Sequence, residues 1–137
     1  MNLNRLAFVD LETTGANPMQ DRITEIGIVT VTDGEVSTWS TLVNPGCRIP
    51  VFIQRLTGIS DAMVADAPDF AELAEAIQAR LHGYTFIAHN ARFDYGFIKN
   101  EFKRLGRRFQ ADVVCTVKLS RRLFPEHHKH NLDSLIE

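Results

Sequence analysis

Two carboxylates stand close together at the end of an apolar run near the start of the chain. The run "LAFV", residues 6–9, leads into Asp10, and Glu12 comes two residues later. Side chains two residues apart on a strand point to the same face, about 6–7 Å from each other. Two like charges on one face raise each other's pKa or require a cation. The spacing therefore favours a divalent-metal site, and a pair of solvated acids at a strand end is the alternative.

A third acid is a candidate for the same site. Asp94 lies in "AHNARFDYGFI", one turn into a predicted helix that follows a short apolar strand and has Asn90 as its expected cap. If that strand neighbours the first, Asp94 comes near Asp10 and Glu12. Three carboxylates suit Mg²⁺ or Mn²⁺, and two such ions about 3.5–4 Å apart suit phosphodiester hydrolysis. The alternative is a first-turn aspartate that the helix dipole favours.

The residues beside the first two acids have both a functional and a local interpretation. Thr13 and Thr14 offer hydroxyls and backbone N–H groups next to the acids, and Gly15 permits a sharp turn. Ordinary turn chemistry explains the same three residues equally well. Glu25, in "ITEIG", is interpreted as a strand residue with its own partners.

The elements that must position these acids follow from the hydrophobic pattern. The first three β-rich runs predict an antiparallel meander, with a hairpin at Asp33-Gly34. Helices are predicted over residues 68–83 and 91–106, with strands at 85–90 and 111–116. Between the meander and the first of these helices, a loop followed by short helical pieces within 60–68 is predicted. A further helix is predicted over 117–125, and another begins within 131–137. This order predicts an α/β domain whose mixed five-stranded sheet joins three antiparallel meander strands to parallel strands and is flanked by helices.

Composition limits the class of protein. The chain has 137 residues, 45% of them hydrophobic and 23% charged, which fits one globular domain. A net charge of −2 does not by itself indicate a nucleic-acid partner. Two cysteines without a CxxC pattern favour reduced thiols and a cytoplasmic location, and no membrane span or signal peptide is predicted.

Several segments together resemble a known family. "FVDLETTG", "DRITEIGIV", "LTGIS", "IAHNARFDYGFI" and "HNLDSL" are similar, in order and spacing, to the DEDD superfamily of 3′–5′ exonucleases. Within it, the chain most resembles the proofreading (epsilon) subunits of bacterial DNA polymerase III. The resemblance covers essentially the whole chain. It implies an RNase H-like fold, two Mg²⁺ or Mn²⁺ ions, and release of nucleoside monophosphates from single-stranded or frayed DNA 3′ ends, with the polymerase III alpha subunit as a potential partner.

The resemblance also implies roles for individual residues. Asp10 would bridge both metals, Glu12 would bind one, and Asp94 would hold the second directly or through water. The implied substrate-binding residues are Thr13 and Thr14 for the terminal nucleotide, Leu56, Thr57 and Ile59 for its base, and His89, Asn90 and Phe93 for the path of the strand.

The chain differs from the family at the last motif, which is a histidine followed five residues later by an aspartate. His128 and Asp133 have this spacing, but Asp133 falls at "LDSL", where the family begins a helix. The general-base histidine and the fourth acid are therefore expected beyond Glu137. Residues 1–137 are interpreted as a single exonuclease domain that lacks its C-terminal helix and last catalytic motif. Weak metal binding and little turnover are predicted for this form.

Other functions stay open from the sequence. One is an RNA-trimming exonuclease of the same superfamily, since discrimination by the 2′-OH depends on pocket details. A second is a phosphatase with Asp10 as nucleophile in "DLETT", which expects a parallel sheet next rather than a hairpin. A third is a nucleic-acid-binding or polymerase-binding module without catalysis.

Overall fold

A computed structural model describes residues 3–117 of the protein. The predicted helices over 117–125 and 131–137, together with the His128 and Asp133 pair, lie wholly or almost wholly outside the described residues. Within the described range, no helix combines the length and apolar character needed to cross a membrane. The elements are β1 (Arg5–Thr13), β2 (Ile23–Thr32), β3 (Glu35–Leu42), α1 (Val51–Thr57), α2 (Asp61–Val64), α3 (Phe70–Leu81), β4 (Thr85–Ala88), α4 (Ala91–Arg104) and β5 (Val113–Cys115).

The first three strands form the predicted antiparallel meander. β1 pairs with β2 and β2 with β3, both antiparallel. The β2–β3 connection consists of Asp33 and Gly34, with φ of 50° and 87°. Positive φ at both positions belongs to a tight two-residue hairpin turn, which Asp-Gly favours. Under the phosphatase hypothesis, the strand after Asp10 would belong to a parallel sheet, so the antiparallel pairing of β1 with β2 argues against that hypothesis.

The remaining strands make the sheet mixed. β4 pairs in parallel with the other side of β1, and β5 pairs in parallel with β4, which gives the order β3-β2-β1-β4-β5. Phe8 of β1 stands opposite Ile87 of β4. Because parallel strands end at the same edge of a sheet, the start of α4 lies beside the end of β1. This strand order satisfies the condition under which Asp94 was expected to approach Asp10.

The two long helices and one face of the sheet enclose the core. β1 alternates along its length: Ala7, Val9 and Leu11 are buried, whereas the residues between them are more exposed. Side chains of α3 and α4 join these strand residues in one cluster, as the helical spacing predicts. The buried helix residues of this cluster are Phe70, Ala74, Ile77, Leu81, Ala91, Phe97, Ile98 and Phe102.

In the segment between the meander and α3, helix α2 confirms the short helical piece predicted within residues 60–68. The part before it differs from the predicted loop. Residues Val51–Thr57 form α1, which begins after Pro50 and ends at Gly58. Gly58 adopts a left-handed φ of 77°, and its N–H donates to the Gln54 carbonyl at 2.9 Å. The seven-residue helix is short and buries none of its residues, so its hydrophobic pattern gives no core-facing stripe to detect.

Candidate active site

Four carboxylates lie around the end of β1, and we call them the acid cluster: Asp10, Glu12, Glu25 and Asp94. Asp10 is exposed and Glu12 half-buried, both on the face of β1 opposite the core. Glu25 of β2 is the register partner of Glu12. Asp94, in the first turn of α4, is buried. Three elements, β1, β2 and α4, therefore contribute carboxylates near the end of β1.

Electrostatic coupling joins the members of the acid cluster. Burial, followed by the negative charge of Asp10, raises the pKa of Asp94 to about 7; Glu12 adds a smaller increase, and hydrogen bonds from the backbone of Asp94 and Leu11 oppose the shift. Burial, then Asp10 and Glu25, likewise raise the pKa of Glu12. Like charges that interact this strongly are stabilised when a cation neutralises them.

The donor chemistry of the cluster fits a hard divalent cation. Its members offer only carboxylate oxygens, the ligands that Mg²⁺ and Mn²⁺ prefer. Among residues 3–117, however, no three side chains of His, Cys, Asp or Glu are already grouped so that they could hold one metal ion together. Asp94 is coupled to both Asp10 and Glu12, but the three are not arranged as a finished site. To hold an ion together, these carboxylates would have to move closer to one another.

The two threonines after Glu12 are both buried, and their hydroxyls take part in local structure. Thr13 donates through Oγ1 to the Gly15 carbonyl at 2.6 Å. Thr14 donates through Oγ1 to Asp21 Oδ1 at 3.1 Å and accepts from the Arg22 N–H at 3.0 Å. Because Thr14 is occupied in this way, it shapes the loop beside the acids. Contact of either threonine with a nucleotide stays a prediction.

A glycine is required where this loop folds back on itself. A Cβ built on Gly15 would lie 2.7 Å from Asp21 Cγ, closer than real side chains approach. Asp21 also accepts from the Asn17 N–H at 2.9 Å. The turn after "ETT" therefore depends on the absence of a side chain at position 15.

Buried Glu101 anchors the same loop to α4. Its Oε1 accepts from Arg22 Nε at 2.8 Å and from an Arg104 guanidinium nitrogen at 2.7 Å. The other Arg104 nitrogen donates to the carbonyls of Pro18 and Met19 at 3.1 and 3.2 Å. Glu101 and the two arginines thus fix the loop, and through it the end of β1 that carries the acids.

Removal of one arginine from this network should loosen the loop. We expect Arg104→Ala to lower the free energy of unfolding by about 1–3 kcal/mol, because it leaves Glu101 with one partner and the loop carbonyls without a donor. Urea denaturation measures the loss, and hydrogen exchange should increase at residues 17–22. Lys103→Ala, at an exposed neighbouring position, is the control and should change stability by about 0.5 kcal/mol or less. Equal stability of the two variants would contradict this role.

A depression of about 380 Å³ opens beside Glu12, between β1, α1 and α4, and we call it the Glu12 depression. Of the residues predicted to bind substrate, it contains Thr13, Leu56, Thr57 and Phe93. Ile59 instead lies buried in a small cluster with Ile49 and Val64, and does not line the depression. The structure thus brings together four of the predicted substrate-binding residues next to one of the predicted metal ligands.

His89 and Asn90 lie elsewhere around the end of β4. His89 Nδ1 is 2.9 Å from Thr116 Oγ1, and the residue lines an apolar depression on the open face of the sheet together with Asp10. Asn90 lines another depression, of about 290 Å³, with Phe93 and Arg92. It occupies the cap position of α4 as predicted, but its side chain makes no capping hydrogen bond. Phe93 and Ala16 line both this depression and the Glu12 depression, so the two are neighbours.

The residues that line these depressions and were not predicted to bind substrate include an aromatic residue and an arginine. Phe52 of α1 lines the Glu12 depression, and Arg92 of α4 lines the neighbouring one. The signal for Phe52 is its helical spacing, since Phe52 and Leu56 are four residues apart and share one side of α1. In a predicted loop, a spacing of four residues does not place two side chains on the same side, so Phe52 was not associated with Leu56.

Comparison with known proteins gives consistent results. A family model described as exonuclease matches residues 7–137. The 3′-5′ exonuclease DinG of Bacillus subtilis is 39% identical over 140 residues, which cover 100% of this chain and 15% of that protein. The PolC-type DNA polymerase III of Caldanaerobacter subterraneus subsp. tengcongensis is 41% identical over 129 residues, covering 93% of this chain and 9% of that protein. The chain thus spans only a small part of the length of these relatives.

Solved structures show the same architecture. Exonuclease X, in complex with 5′ overhanging duplex DNA, has a TM-score of 0.75 and 31% identity, with 95% of this chain and 70% of that chain covered. Product-bound exonuclease I has a TM-score of 0.80 at 19% identity, with 93% and 34% covered, and is evidence for the fold alone. These similarities confirm the predicted RNase H-like mixed sheet.

Proposed function

Since the chain belongs to the exonuclease family, we propose that it hydrolyses phosphodiester bonds at DNA 3′ ends and releases nucleoside monophosphates. The observation that carries this proposal is the parallel pairing of β4 with β1, which brings buried Asp94, in the first turn of α4, to the end of the strand that carries Asp10 and Glu12. The names of the two similar bacterial proteins, a 3′-5′ exonuclease and a replicative DNA polymerase, support a role in DNA replication or repair.

In this proposal Asp10, Glu12 and Asp94 hold two divalent ions, Mg²⁺ or Mn²⁺. Such ions supply an activated water and charge stabilisation at the leaving oxygen. The protein's own residues prepare that chemistry. Burial and the charge of Asp10 raise the pKa of Asp94 to about 7, so this carboxyl must lose its proton near neutral pH before it binds a cation.

Substrate and location form the finer part of the proposal. We propose single-stranded or frayed DNA 3′ ends as the substrate, and the complex of exonuclease X with 5′ overhanging duplex DNA supports DNA as the nucleic acid. A polymerase subunit is a proposed partner, by analogy with the PolC-type relative. Cys47 and Cys115 are free, which supports the reducing environment of a cytoplasm.

Metal dependence and direction of cleavage test this function. We expect the protein at its natural length to shorten a 5′-labelled single strand from its 3′ end, one nucleotide at a time, with Mg²⁺ or Mn²⁺ present. Excess EDTA should stop the reaction, and renewed Mg²⁺ should restore it, because the carboxylates alone cannot activate water. An RNA strand of the same sequence compares the DNA proposal with the RNA-trimming alternative. Cleavage that continues in EDTA, or that starts at the 5′ end, would contradict the proposal.

A further inference from the structure

Helix α4 carries three basic residues on its solvent face, and we call them the α4 basic row: Arg92, Lys99 and Lys103. All three are exposed. By helix geometry they lie within about 40° of one another around the axis and span about 16 Å along it. The acidic residues of α4, Asp94 and Glu101, are both buried, so no acid of this helix lies on the same face. The row is therefore a local positive surface on a chain whose net charge is −2.

The cations of the α4 basic row differ from the neighbouring arginines in having no internal partner. Arg104 donates to buried Glu101 at 2.7 Å, and Arg107 donates to Glu75 at 2.7 Å. Within residues 3–117, in contrast, the three side chains of the row take part in no hydrogen bond or ion pair. They can therefore neutralise a bound anion. A solvated helix face is the alternative, and it predicts that these cations affect no ligand.

The row begins beside the acid cluster. Arg92 is two residues from Asp94, in the first turn of α4. It lines the depression that adjoins the Glu12 depression, and among the described residues that line it, Arg92 alone carries a charge. Lys99 and Lys103 follow about two and three turns further along the helix. The row consequently leads away from the proposed site of cleavage.

A nucleic-acid strand is the anion that fits this arrangement. Its phosphates repeat along a line, as the cations do, and basic side chains that neutralise phosphates release counterions and strengthen binding. Phosphate contacts position a strand without reading its sequence. A single small anion would contact only one member of the row, because neighbouring members are about 6–10 Å apart along the axis.

We propose that the α4 basic row binds phosphates of the DNA strand on the 5′ side of the cleaved bond, with Arg92 nearest to that bond. This inference rests on the proposed function and names the surface that holds the rest of the strand while its 3′ end is cleaved. The row takes no part in the reaction itself. It favours strands long enough to reach all three cations.

The salt dependence of strand binding tests the row. The protein at its natural length carries Asp10→Ala, so that a long fluorescein-labelled single strand is bound and not cleaved. We expect the addition of Arg92→Gln, Lys99→Gln and Lys103→Gln to weaken binding about tenfold or more at low salt. The slope of log K against log salt should fall by about 2, since each phosphate contact on a single strand contributes about 0.7. Fluorescence anisotropy measures both quantities.

Arg92→Gln and Arg5→Gln form a matched pair, because each removes one positive charge. Arg5 is exposed at the start of β1, at the opposite end from the acids, so Arg5→Gln should leave the affinity unchanged. Arg92→Gln should weaken binding about threefold or more. The variants are expected to fold, since every replaced side chain is exposed, and thermal unfolding verifies this.

Strand length distinguishes contacts along the row from a general effect of charge. In the active protein, Lys99→Gln with Lys103→Gln should lower kcat/KM on the long strand about fivefold or more. On a trinucleotide, which is too short to reach both lysines, kcat/KM should not change.

The outcomes separate the inference from the proposed function. An equal loss on the long strand and the trinucleotide, or unchanged affinity and salt slope in the triple variant, would overturn the inference, while nucleotide release by wild type upholds the proposed function. Weaker binding by the triple variant, together with no nucleotide release by wild type, would support the row and refute the proposed function.

Discussion

Replacement of Asp10 with alanine is expected to reduce the rate of 3′ nucleotide release by a factor on the order of 10³ or more. Asp10 is coupled to Asp94 and to Glu12, so its loss removes the carboxylate that both others face. Metal-ion stabilisation of the transition state amounts to several kcal/mol, and about 1.4 kcal/mol corresponds to a tenfold rate change. Initial rates on a 5′-labelled single strand, with Mg²⁺ and then Mn²⁺, measure the effect.

The same substitution should leave the fold intact. Asp10 is exposed, and its removal relieves repulsion within the acid cluster, so thermal stability without metal should stay the same or increase. Glu35→Ala provides a control at an exposed acid at the start of β3, outside the cluster, and should retain wild-type rates. If Asp10→Ala and wild type released nucleotides at the same rate, the proposed role of the cluster would be refuted.

Substitution of Asp94 with asparagine is expected to abolish activity and yet stabilise the metal-free protein at alkaline pH. The folded-state pKa of Asp94 is about 7, above the ordinary value of 3.8, so the folded protein binds this proton more tightly than the unfolded chain does. The favourable contribution of the protonated carboxyl is complete below pH 3.8 and is lost as the pH rises to about 7. Asparagine keeps the shape without the charge.

Urea denaturation in EDTA at two pH values measures this effect. At pH 8 Asp94→Asn should exceed wild type in unfolding free energy by an amount on the order of 2–4 kcal/mol, since each pKa unit corresponds to about 1.4 kcal/mol. Near pH 4 the two proteins should be nearly equal, because wild type is then protonated. Mg²⁺ at pH 8 should stabilise wild type more than the variant, through binding to the folded state alone. If the variant were less stable than wild type at pH 8, the ionised carboxylate of Asp94 would not destabilise the folded protein, and the prediction would be wrong.

The sequence by itself determined the features that depend on near neighbours. Alternation along a strand places Asp10 and Glu12 on one face, and the dipeptide Asp33-Gly34 specifies the tight hairpin of the meander. The helical spacing of Phe97 and Phe102 identified the buried side of α4. Each of these features depends on the backbone geometry of a few consecutive residues, so the local sequence is enough to predict it.

Only the tertiary structure decided which of these local features meet. The parallel pairing of β4 with β1 brings Asp94 to acids more than 80 residues earlier, and its raised pKa exists only because burial and Asp10 act on it together. The contact of Glu101 with Arg22 likewise spans 79 positions, and Phe52 and Phe93 line one depression although they belong to different helices. Strand order, burial and the walls of a depression arise from contacts between distant segments, and no local pattern encodes them.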